Sequence, residues 1–86
     1  MEINSLSITA SLYRTTDTPL SAALQIHGHY LIRLEFDPQG RCEFVFSDSE
    51  ACEEDASLFW SGKLKVPALA YATALKVLKG RIYARR

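Results

Sequence analysis

The chain has 86 residues, 48% hydrophobic and 23% charged, which is enough for one globular domain and excludes global disorder. Ten Lys plus Arg balance ten Asp plus Glu, so the bulk basic signature of most nucleic-acid binders is absent. No stretch approaches the ~20 apolar residues of a membrane span.

The opening segment alternates Leu6, Ile8, Ala10 and Leu12 with Ser5, Ser7, Thr9 and Ser11. That is the pattern of a half-buried strand. Its serine content suits a tail equally well, so residues 1–13 are read as an N-terminal strand or a tail, and 14–86 as a single αββαα domain. Thr15-Thr16-Asp17-Thr18 then precedes Pro19. Asp17 or Thr18 can cap a helix whose first turn tolerates Pro19. Leu20, Ala23, Leu24 and His27 follow at helical spacing and Gly28 stops the helix, predicting helix 19–27.

The next signal is a hairpin. Tyr30, Ile32, Leu34 and Phe36 alternate, as do Cys42, Phe44 and Phe46, predicting strands 30–36 and 41–47. Opposed residues share a face, so Phe36 pairs with Cys42, Leu34 with Phe44 and Ile32 with Phe46. This leaves Pro38-Gln39-Gly40 as a three-residue loop with Gly40 at positive φ. On the outward face Glu35 falls opposite Glu43, with Arg33 and Arg41 on the diagonals to relieve the repulsion.

Ser47 and Glu50 have capping-box spacing ahead of a helix over 49–61, with Cys52, Ala56, Phe59 and Trp60 as its apolar side. Lys63 to Val66 reads as an extended link with Leu64 and Val66 inward. A last helix over 67–83 carries the stripe Tyr71, Leu75, Leu78 and Ile82. The fold class is α+β: a small antiparallel sheet covered on one face by three helices, in the order (β)αββαα. The expected core is Leu24, Ile32, Leu34, Phe36, Phe44, Phe46, Phe59, Leu75 and Leu78.

Several of these residues carry a resemblance. Thr16-Asp17, Leu20, Ala22-Ala23-Leu24 and Gly28 resemble the start of a small bacterial family known as domain of unknown function 5659. Phe44 to Asp48, Phe59, Gly62, Val66, Leu78-Lys79 and Ile82-Tyr83 fall where that pattern would put them. The similarity covers roughly Arg14 to Tyr83. Its motifs are a helix cap, a hairpin core and a helix stripe, so it implies a fold and no chemistry.

Candidate chemistry is sparse. His27, His29, Cys42 and Cys52 lack the close ligand pairs of common structural zinc sites. Cys52 stands among Glu50, Glu53 and Glu54, which would raise its pKa and blunt it as a nucleophile. The four glycines are scattered and make no phosphate loop. No catalytic residue, cofactor or metal is expected, and the chain is not read as an enzyme. One possible disulfide and no leader-like segment point to reduced cysteines in a cytoplasmic protein.

Charge order says more than charge sum. Residues 35–55 hold eight acids against Arg41, whereas residues 63–86 hold seven Lys or Arg and no acid. The surface is dipolar unless the two segments pack together. Two functions follow. The favoured one is a non-catalytic interaction or adaptor domain, self-associating or binding a protein partner, with a sheet edge or Trp60 in its contact surface. The alternative is a nucleic-acid-binding accessory protein that uses Lys76, Lys79, Tyr83, Arg85 and Arg86 of the last helix.

Overall fold

The structure of the protein, a computed structural model, describes residues 11–85. The elements are β1 (Leu12–Thr15), α1 (Thr18–Ile26), β2 (Leu31–Phe36), β3 (Cys42–Ser47), α2 (Ser49–Trp60) and α3 (Ala68–Arg85). This is an α+β domain in the order βαββαα, with an antiparallel sheet of order β1-β3-β2. The described third strand lies later than the serine-rich alternation, whose Leu6, Ile8 and Ala10 fall outside the described residues. Tyr13 pairs with Phe46 and packs on the core, so the inward parity belongs to Tyr13 rather than Leu12.

The hairpin loop is the three-residue one. The Asp37 N–H donates to the Arg41 carbonyl at 3.0 Å and the Gly40 N–H to the Asp37 carbonyl at 2.8 Å. Gly40 stands at φ 87°, a conformation that costs an L-residue free energy. Phe36 faces Cys42 and Leu34 faces Phe44, but a bulge between Leu31 and Arg33 puts Leu31, not Ile32, opposite Phe46. An extra residue on an edge strand reverses the parity beyond it. Tyr30, read as inward, is therefore exposed, and Ile32 does not join the core cluster.

β3 is central, and Phe44, Val45 and Phe46 are all fully buried. Phe44 and Phe46 lie under the helices together with Leu20, Leu24, Cys52 and Ala56. Val45 is on the other face, paired with Arg14 on one side and Arg33 on the other. There the opposed Glu35 and Glu43 are bridged by Arg14 Nη1, at 2.8 and 3.0 Å, and Arg33 Nε binds Glu35 at 2.6 Å. Of the two expected diagonal cations Arg33 does serve the glutamate pair, while Arg41 pairs with Asp37 instead, and the cation that bridges both glutamates comes from β1. Hydrogen bonds from Arg14 and then Arg33 hold the Glu35 carboxyl below the usual range.

Helix termini follow local chemistry. Asp17 caps α1, accepting from the Leu20 N–H at 2.7 Å. α2 is capped by Asp48, not Ser47, because Ser47 is still paired in β3. Asp48 turns the chain at φ 64° and accepts from the Ala51 N–H, and a short polar side chain tolerates that region best. The Pro67 carbonyl takes the Tyr71 N–H as α3 begins.

α1 lies between the sheet, α2 and α3, and Leu20 through Leu24 are all buried. Ala22 and Ala23 thus join Leu20, Val45, Cys52 and Ala56 as core that the sequence reading did not include. Phe36 and Leu75 are only half-buried, while Leu34 and Phe59 pack against the core from its margin. In α3 the stripe Tyr71, Leu75, Leu78 and Ile82 does face inward, with Leu78 fully buried.

Candidate functional site

The two expected working surfaces sit on different helices. Trp60 ends α2 with 63% of its surface exposed, its ring edge-on to Phe59 at 4.9 Å. Leu58 and Leu69 are exposed too, at 40% and 80%. These three residues flank the connection between α2 and α3, and the Leu58 carbonyl accepts from the N–H groups of Lys63 and Leu64. Trp60 is therefore a surface residue and not part of the domestic core.

α3 carries Lys76, Lys79 and Arg81 on exposed positions, with Tyr83 exposed beside them. The side chain of Arg85 and the whole of Arg86 lie outside the described residues. Both α2 and α3 pack on α1 and are not close neighbours of each other. Among the described residues, no ion pair joins the acids of α2 to the cations of α3. Glu50, Glu53 and Glu54 are exposed on α2, and Lys63 and Lys65 are exposed on the link.

A third constellation was not legible in the sequence. His27 caps the C-terminus of α1, Gly28 turns at φ 111°, and the His29 N–H returns to the Leu24 carbonyl at 3.0 Å. This brings His27 Nδ1 within 2.9 Å and His29 Nε2 within 2.6 Å of the same atom, Asp55 Oδ2 on α2. Cys52, one turn earlier on α2, places its Sγ 3.5 Å from His29 Nδ1 and 3.4 Å from the Ser47 carbonyl. The set of four considered from sequence is not the one assembled: the converging ligand atoms belong to His27, His29 and Asp55. The His-Gly-His spacing was visible, but its partner lies 26 residues from His29, and an acidic helix face offers several equivalent carboxylates.

Cys52, His29 and Asp55 are connected in the order of a thiol, base and orienting acid. The thiol does not suit that use. Cys52 is fully buried, and burial, with Asp48 and Asp55 adding repulsion, pushes its pKa up to about 11. A nucleophilic thiol requires the opposite environment. Cys42 is half-buried, and burial raises its pKa as well, with Arg81 opposing. It lines a cleft of about 290 Å³ with Thr16, Glu35, Phe36, Asp37, Arg41 and Glu43.

Fold and site together define a small α+β domain with exposed acids on α2, exposed cations on α3 and a histidine–carboxylate cluster. A scan against protein-family models, a search of curated proteins and a search of solved structures each return no match. None of the described helices is long and apolar enough to cross a membrane.

Proposed function

We propose that this chain is a non-catalytic interaction domain that associates with a second copy of itself, the acidic face of α2 meeting the basic face of α3 across the contact. The observation that carries this reading is the segregated charge. Glu50, Glu53 and Glu54 on one helix and Lys76, Lys79 and Arg81 on the other have no ion-pair partner among the described residues. Opposite faces on one molecule are complementary between two molecules, and such complementarity sets orientation and speeds encounter. Exposed Trp60, Leu58 and Leu69 would supply the apolar contact that charge alone does not, with Trp60 as anchor.

The sheet edges support the reading less well. β1 is four residues long and β2 is bulged at Ile32, both of which discourage strand addition. A cytoplasmic setting with reduced cysteines belongs to the same proposal, as does kinship with domain of unknown function 5659, which rests on the capping, hairpin and stripe residues named above.

Light scattering and sedimentation at low and raised salt test the proposal. Association should be present at low ionic strength, weaken with salt and weaken further in a Lys76→Glu/Lys79→Glu variant. Mixing that variant with Glu53→Lys/Glu54→Lys should restore it. A monomer at high concentration and low salt would remove the reading. The acid-free α3 favours one alternative, binding of nucleic-acid phosphates. Tight binding to duplex or single strands at moderate salt, lost when Lys76, Lys79, Arg85 and Arg86 become alanine, would put that function first.

A further inference from the structure

The histidine cluster gathers two imidazoles on a single carboxylate oxygen. Two imidazole nitrogens from either side of Gly28 aim at one carboxylate oxygen, and the three ligand atoms lie within 4.8 Å of one another. Their supports are rigid. The His27 N–H is bonded to the Ala23 carbonyl at 2.9 Å and the His29 N–H to the Leu24 carbonyl, so both rings are mounted on the end of buried α1. The rings lie within 20° of parallel, with centroids 6.2 Å apart. Asp55 comes from the helical face that also buries Cys52 and Ala56.

His29 is met at both ring nitrogens, Nδ1 by Cys52 Sγ at 3.5 Å and Nε2 by Asp55 Oδ2 at 2.6 Å. A metal-ligating histidine is oriented in this way, one ring nitrogen held by an outer partner while the other meets the ion. Two imidazoles and a carboxylate are a donor set suited to zinc-class divalent ions.

The geometry points to a binding site for a divalent transition-metal ion of the zinc or cobalt class, held by His27 Nδ1, His29 Nε2 and Asp55 Oδ2. Cys52 backs His29 and is not a ligand. Bond lengths of ~2.0–2.1 Å in a tetrahedral site separate ligand atoms by about 3.3 Å, so each contact opens by roughly half an ångström, within the reach of side-chain rotation. The His27 side chain is 41% exposed, which opens the fourth position to solvent, while the side chains of His29 and Asp55 are 11% and 16% exposed.

Cobalt(II) alone, titrated into the full chain near pH 7.5 and followed by visible absorption, reads the site directly. A saturable tetrahedral-type spectrum at one ion per chain, displaced by zinc, is the expected result. Since outer-shell changes already cost ~10–100-fold in metal affinity, His27→Gln and Asp55→Asn should weaken binding by at least that factor. His27→Gln decides the matter if Asp55→Asn disturbs the fold, because His27 is at the surface and circular dichroism can show the helices intact. The absence of a saturable spectrum would overturn the assignment, as would a spectrum unchanged in a folded His27→Gln variant. A sulfur-to-cobalt charge-transfer band lost in Cys52→Ala would overturn the ligand set. Performed at high salt, where the proposed charge-driven contact is screened, the titration stands apart from the association experiment.

Discussion

α2 and α3 flank the same buried helix and are built on different plans. α2 has 12 residues and is fixed at many points. Asp48 and Ser11 bind its first amides, Cys52 and Ala56 enter the core, and Asp55 reaches the two histidines. α3 has 18 residues; its inward stripe, in which among the described residues only Leu78 is fully buried, packs it in place, and the Tyr71 hydroxyl donates to the Pro19 carbonyl at 3.3 Å. The outer face of α3 keeps Leu69, Val77 and Tyr83 exposed along with its lysines. A helix secured by polar and apolar contacts together is fixed along its inner side and keeps its acidic outer side exposed. A helix held by one stripe keeps most of its circumference available, and here that circumference is basic.

If the comparison holds, Leu78→Ala should have the largest effect. Emptying the single deep contact of α3 should cost about 2–5 kcal/mol, measured by urea denaturation. Cys52→Ala on α2 should cost less, about 1–2 kcal/mol, since a smaller group and weak thiol hydrogen bonds are lost while the other anchors remain. The reverse order would break the contrast between one anchor and many.

Cys52 gives α2 a pH signature. Its pKa rises from 9.0 to about 11 on folding, so the folded state holds the thiol proton more tightly than the unfolded state. The stability this contributes is complete below about pH 9 and is lost as pH rises toward about 11. Urea midpoints measured across that window should fall for the native chain and fall less for Cys52→Ala. Labelling with a thiol reagent should modify Cys52 only as fast as the protein opens, because the group is both buried and protonated.

Exposed charge should matter least to the folded monomer. Glu54→Gln on α2 and Lys76→Gln on α3 remove groups with no ion-pair partner among the described residues. Each should change monomer stability by no more than ~0.5 kcal/mol. A larger change for either would show that the two helices already sense each other's charge within one chain, and the contrast would have to be redrawn.

Local rules settled much of this protein from sequence. The parity of Phe36, Leu34, Phe44 and Cys42, together with Gly40, gave the hairpin loop, because a turn and its flanking alternation involve only neighbours in the chain. The Asp17 cap and the α3 stripe were legible for the same reason. Tertiary structure decided what required distant groups. The bulge at Ile32 moved Leu31 into the core and Tyr30 out, since an edge strand can adjust its register to a partner that periodicity does not specify. α1 became buried on all sides because small residues at Ala22 and Ala23 let neighbours approach, and only the packed fold says which neighbours come. Glu35 and Glu43 found their shared cation in Arg14, supplied by a strand far off in the chain. Asp55 was one carboxylate among several on an acidic helix until the fold carried α2 against the end of α1, where two histidines around a glycine turn selected it.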